Sequence, residues 1–169
     1  ERLSRAYRVR RLTEEDTAQI LALCRSNPLY YRHCGTEPSE ADIRQDMTLL
    51  PPGAAPEDKY FLGYFHGDRL AAVLDLIDGY PSAETAYIGL FMVDSRFSGQ
   101  GIGSRLVEEL LEELKTAGFS RVRLAYQKAN PQSTRFWTKT GFQPVEEKPH
   151  PYGTMLVAVR NLPFSENPC

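Results

Sequence analysis

Residues 86–116, AYIGLFMVDSRFSGQGIGSRLVEELLEELKT, restrict what this chain can fold into more than any other stretch. An apolar run from Ala86 to Val93 has the length and composition of a buried strand. A polar corner, Asp94-Ser95-Arg96-Phe97-Ser98, follows it. Glycines then stand at every second position, Gly99, Gly101 and Gly103. Beyond them Ile102, Leu106, Leu110, Leu111 and Leu114 recur at the spacing of one helical face, and Glu108, Glu109, Glu112 and Glu113 fall opposite. Gly118 sits where a helix ends.

The pattern is a strand, a glycine turn and a helix N-terminus. The first N–H groups of a helix lack internal partners and carry positive partial charge. Glycines let an anion approach that backbone closely. The corner therefore reads as a phosphate or pyrophosphate site; the plainer reading is a tight turn that needs glycine for geometry alone. Neither Gly99 nor Gly101 starts a G-x-G-x-x-G dinucleotide fingerprint, because Ser104 and Leu106 occupy the third place. No Gly-Lys-Ser/Thr of a P-loop is present.

FMVDSRFSGQGIGSRLVEEL resembles the coenzyme-A-binding motif of the GNAT superfamily of N-acetyltransferases. Asn130-Pro131-Gln132-Ser133, and then Phe136-Trp137-Thr138-Lys139-Thr140-Gly141-Phe142, resemble that superfamily's next motif. The resemblance covers Ala86 to Phe142. It implies an α+β fold in which a mixed, mostly antiparallel sheet has helices on both faces. It also implies acetyl transfer from acetyl-coenzyme A to a primary amine of a small molecule or peptide, with no metal. The coenzyme-binding set it implies is the strand backbone at Phe91, Met92 and Val93, the loop and first helical turn Ser98, Gly99, Gln100, Gly101, Ile102, Gly103 and Ser104, then Asn130, Ser133 and Trp137. The two parallel strands are expected to splay so that the pantetheine arm lies between them. Dimers are common in the superfamily, which makes a homodimer one expectation.

The rest of the chain bounds the reading. At 169 residues it suits a single domain, with 1–5 and 161–169 expected as terminal tails. A net charge of -2 gives no global reason to expect nucleic acid or anionic membrane. The arginines Arg2, Arg5, Arg8, Arg10 and Arg11 read as a solvated strand face. No apolar run reaches the roughly eighteen residues of a membrane span, and the N-terminus has no signal-peptide pattern. Cys24, Cys34 and Cys169 form no metal-ligand spacing, and a reduced cytoplasmic protein is expected. A first helix starts at Thr13 and stops before Asn27-Pro28; a second starts at Ser39 and ends at Pro51-Pro52-Gly53. Two strands, Tyr60–Phe65 and Arg69–Ile77, form a hairpin. Arg121–Tyr126 is a strand parallel to Ala86–Val93, because a helix connects them.

Thioester aminolysis needs a neutral amine, donors for the developing oxyanion and a path for the thiolate to leave. Many GNAT enzymes supply the acid with a tyrosine four residues before Gly-Phe; here that place is Trp137, whose indole cannot transfer a proton. Tyr126 and Tyr87 are the replacement candidates. Asp75, a carboxylate inside the apolar strand RLAAVLDLI, either satisfies a neighbouring group or acts on substrate as the base. Tyr30 and Tyr31 either wall the acceptor pocket or pack a loop onto the sheet. The same features leave a coenzyme-A-binding module without transfer activity as the second reading.

Overall fold

The computed structural model describes residues 3–164. Seven strands form one sheet: β1 (Arg8–Arg11), β2 (Lys59–His66), β3 (Arg69–Asp78), β4 (Thr85–Val93), β5 (Arg121–Gln127), β6 (Gln143–His150) and β7 (Gly153–Asn161). Their spatial order is β1-β2-β3-β4-β5-β7-β6. All neighbours are antiparallel except β4 and β5, the pair joined by a helical crossover. The helices are α1 (Thr17–Arg25), α2 (Pro28–Cys34), α3 (Glu40–Thr48), α4 (Ile102–Thr116) and α5 (Pro131–Lys139). This is the expected α+β architecture.

Strand alternation divides the core into two layers. On one face Phe61, Phe65, Val73 and Met92 meet Ile20 and Leu23 of α1 and Ile43 of α3. On the other, Leu74, Ile88, Val122 and Leu124 meet the apolar stripe of α4 and Trp137 of α5. The stripe is the one read from sequence: Ile102, Leu106, Leu110, Leu111 and Leu114 are all buried.

Two expectations change. Asn27-Pro28 stops α1 but also starts α2, with Pro28 in its first turn and Gly35 at φ 70° closing it. A proline at the first helical position costs no hydrogen bond, so the dipeptide both ends and begins a helix. The terminal tails are also shorter than expected. Ser4 is buried and its Oγ accepts from the N–H groups of Ala6 and Tyr7. β7 includes Asn161, and Leu162 packs in the α4 layer while its N–H donates to Ser120 O. Arg2 and Cys169 lie outside the described residues.

Candidate active site

β4 and β5 pair only from Thr85↔Arg121 to Ile88↔Leu124. β4 then continues to Val93 and β5 to Gln127 without pairing, so the sheet opens between them. Two features of β4 shape the opening. Its register with β3 runs Leu76↔Ile88, then Asp75↔Leu90, which makes Gly89 the extra residue of a bulge. Asp94 N–H donates to Ala71 O on β3 at 2.8 Å. Alternation back along the strand turns the backbone of Met92 to β3 and that of Phe91 and Val93 into the gap. Val93 O already accepts from Asn27 Nδ2 at 2.9 Å. Phe91 N–H and C=O and Val93 N–H are therefore the strand groups available to a ligand. Met92 has its side chain buried against the α1 layer and its backbone on β3, so of the three expected strand residues it faces the gap least.

The glycine corner lies at the end of this strand. A single 3-10 turn, Ser95–Phe97, is capped by Asp94, whose carboxylate accepts from Arg96 N, Nε and Nη2 at 2.9, 3.0 and 2.7 Å. That pairing holds the Asp94 carboxyl below the usual range. It also commits Arg96 to the corner's own structure. Ser98 Oγ donates to Ser95 O, again closing the turn on itself. Gly99 and Gly101 have φ of 79° and 70°, a region that disfavours any side chain, and a Cβ on either would meet nothing within 4 Å. Their backbone is open. Gln100 is exposed between them, and Ile102, Gly103 and Ser104 form the free first turn of α4. Gly103 differs: a Cβ there would lie 3.2 Å from Phe136 and 3.5 Å from Val93. It is glycine so that α4 can pack against α5 and the end of β4.

Asn130 caps α5, its Oδ1 accepting from Gln132 N and Ser133 N at 3.1 and 3.2 Å. Trp137 is buried and edge-on to Phe136 and Phe142, at 4.8 and 5.2 Å between centroids, with Phe91 tilted against it at 6.2 Å. The indole thus belongs to the core. Tyr126 is 5% exposed and its hydroxyl has no hydrogen-bond partner among the described residues. Burial pushes that phenol up.

On the opposite face of β4 lies a cavity of about 540 Å³, walled by α2, α3, β3 and β4. Tyr30, Tyr31, Asp75 and Tyr87 all line it, together with Asp42, Gln45, Asp46, Gly89 and Leu90. Glu37, Glu40 and Asp78 are not in its lining. Among the described residues no lysine or arginine lines it. Tyr30 and Tyr31 meet edge-to-face at 5.1 Å, and burial, with the Cys34 and Cys24 thiols beside them, pushes both phenols up. Tyr87 packs edge-on to Tyr80, and burial raises its phenol.

Asp75 has a partner that the sequence reading did not name. Lys59 Nζ lies 2.9 Å from its Oδ1 and 3.0 Å from its Oδ2, with Lys59 itself 5% exposed. The ammonium straddles the carboxylate, and only the Oδ2 contact has hydrogen-bond geometry. Burial raises the Asp75 carboxyl and Lys59 opposes that shift. Across from it, a Cβ on Gly89 would stand 2.7 Å from Oδ2. The gap and the cavity thus meet at one bulge, with a carboxylate against it. Asp42, Asp46 and Gly89 were readable in part. A glycine inside a strand pattern signals a bulge or close approach, and two aspartates four apart share a helix face. Among the described residues no cluster of three His, Cys, Asp or Glu could hold a metal ion, and no helix is long and apolar enough to cross a membrane.

No curated protein matches the sequence. An acetyltransferase of Thermus thermophilus is similar in structure at a TM-score of 0.78 and 24% identity, covering 93% of this chain and 97% of that one. An acetyltransferase of Salmonella typhimurium that modifies the N-terminal serine of ribosomal protein L7/L12 matches at 0.74 and 19%, covering 95% and 98%. The PaiA N-acetyltransferase of Thermoplasma acidophilum, solved in complex with coenzyme A, matches at 0.65 and 19%, covering 92% and 98%. The model of the acetyltransferase (GNAT) family matches residues 17–142, most of the 169, and the chain belongs to that family.

Proposed function

We propose that this protein transfers an acetyl group from acetyl-coenzyme A to the primary amine of a cationic small molecule or peptide terminus. The observation that carries the reading is the meeting of two chambers at Gly89: an opened parallel pair behind a glycine corner, and an acidic, aromatic cavity on the other face.

The residues present fit coenzyme A. Open backbone at Gly99 and Gly101 and the free N–H groups of the first turn of α4 suit a pyrophosphate. Phe91 and Val93 offer unpaired strand groups to an amide-bearing arm, and Asn130 keeps its amide nitrogen for the same purpose. The Tyr126 hydroxyl, buried beneath β5 and without a partner among the described residues, is the kind of group a ligand satisfies. Acetyl-coenzyme A, when bound, supplies the thioester whose acyl group passes to the amine and whose sulfur leaves as thiol. Asp75 takes the proton from the amine nitrogen, which becomes strongly acidic as the nitrogen bonds to carbon. Tyr126 donates its hydroxyl proton towards the leaving sulfur. Asp42 and Asp46 attract the cation, and the edge-to-face tyrosines hold its apolar body.

Trp137, in the core where the family usually keeps its tyrosine acid, favours one other reading, a coenzyme-A-binding module without turnover. Calorimetric titration with acetyl-coenzyme A and then coenzyme A is the first test, followed by thiol release with 1,4-diaminobutane, glycinamide and a seryl peptide. Micromolar binding with thiol release on at least one amine is expected. Binding without release on any amine selects the module, and no binding overturns both.

A further inference from the structure

Lys59 is charged, 5% exposed and absent from the cavity lining. It opens β2, with Lys59 opposite Ile77 and Phe61 opposite Asp75, so Lys59 and Asp75 are diagonal neighbours on one face. Its Nζ donates to Asp75 Oδ2 at 3.0 Å, stands 2.9 Å from Oδ1, and donates to Leu49 O at 2.8 Å. Leu49 is the residue that ends α3, the helix carrying Asp42 and Asp46. An ammonium has three donors and no acceptor; two of them are used, on Asp75 Oδ2 and Leu49 O, and its charge also faces Oδ1. A buried charge is costly unless fully paired. An apolar residue would fill the same space between β2 and β3 at lower cost, so a lysine here points to a task beyond packing.

We propose that Lys59 is a positioning residue for acceptor deprotonation: from behind the cavity it holds the Asp75 carboxylate ionised against the Gly89 bulge and ties it to the end of α3. The inference rests on the reading of Asp75 as the base. The geometry leaves the carboxylate little freedom. Lys59 approaches both oxygens from one side, and the absent side chain of Gly89 makes room on the other. The charged and titratable groups around Asp75 come from four elements. Lys59 on β2 is the cation; Asp42 and Asp46 on α3, Tyr87 on β4, and Tyr30, Tyr31 and Cys34 on α2 complete the set. Apart from Lys59 these groups are acidic or neutral, so Lys59 is the charge opposing protonation of Asp75. It also fixes the distance from Asp75 to the α3 wall that receives the cation.

The test is the pH dependence of kcat/KM, with the fastest amine of the panel above, for the wild type and for Asp75→Asn, Lys59→Met and Lys59→Arg. Asp75→Asn is expected to abolish the acidic limb. Lys59→Met is expected to move that limb to higher pH by about one to three units, because the carboxyl loses its counter-charge and is protonated more readily. Lys59→Arg, which keeps the charge, is expected to restore the limb. If Asp75→Asn removes the limb while Lys59→Met leaves it in place, the inference falls and the base stands. If Asp75→Asn leaves the limb intact, the base assignment itself falls. A measurement on the wild type covers a Lys59→Met chain that does not fold and needs no acceptor. The 15N resonance of Lys59 Nζ is expected to shift through one titration at the pH where Asp75 takes up its proton. A flat Nζ signal through that range overturns the inference.

Discussion

Gly89, Gly101 and Gly103 are glycines for three different reasons, and each reason has its own measurable consequence. At Gly89 the limit is steric: a Cβ would come within 2.7 Å of Asp75 Oδ2 while the backbone itself is unstrained. Gly89→Ala is therefore expected to displace the carboxylate and lower kcat about tenfold to a hundredfold, with acetyl-coenzyme A affinity unchanged by calorimetry. Equal loss of both would mean that the bulge serves the coenzyme instead. At Gly101 the limit is conformational, since φ is 70° and the space beyond is open. Gly101→Ala is expected to cost about 1–2 kcal/mol in urea unfolding and to weaken coenzyme binding, with kcat at saturation little changed. Gly103 packs on Phe136 and Val93. A larger residue there would separate α4 from α5, a route to lost binding that involves no contact with phosphate.

At the scale of elements, legibility followed locality. α4 announced itself through a strict apolar stripe and glycines at both ends, and the β2–β3 hairpin through its turn residues. α2 was hidden because none of its seven residues is buried, so no periodic stripe marks it, and because Asn27-Pro28 carries stop and start signals together. The glycine corner was readable from neighbours in sequence. The cavity was not, because its walls come from α2, α3, β3 and β4, and the Lys59–Asp75 pair spans 16 residues. Asn27 is the hidden joint between the two chambers. Its Nδ2 donates to Leu23 O at 3.1 Å and to Val93 O at 2.9 Å, fastening the start of α2 to the end of β4. Asn27→Ala is expected to cost about 1–2 kcal/mol in urea unfolding, because a strand carbonyl loses its donor. It is also expected to raise KM for both substrates. A rise confined to the amine would show that Val93 holds its place without this bond.

For the molecule as a whole, two carboxylates, Asp16 and Asp46, act on stability in opposite directions. Asp16 is buried and accepts from both Arg10 nitrogens at 2.7 and 2.8 Å and from Thr13 N at 2.8 Å. The Arg10 hydrogen bonds hold its carboxyl below the usual range. A depressed carboxyl contributes stability that is present above the ordinary carboxylate pKa and lost as the pH falls through the folded value. Asp46, exposed at the cavity rim, is shifted the other way, first by desolvation against the cavity wall and then by the charge of Asp75. A raised carboxyl favours folding when protonated, so its ionised form disfavours folding at neutral pH and the penalty disappears on acidification. A carboxylate that carries this penalty at the cavity rim is what a cation-binding wall would require. Asp16→Asn is expected to lower the melting temperature at pH 7, with the deficit shrinking as the pH falls through the carboxylate range. Asp46→Asn is expected to raise it at pH 7, again with a difference that shrinks on acidification, and at the same time to raise KM for a diamine more than for a monoamine. A stabilised variant with unchanged KM would show that Asp46 is paired with nothing in the reaction, and the cationic character of the acceptor would then rest on Asp42 and Asp75 alone.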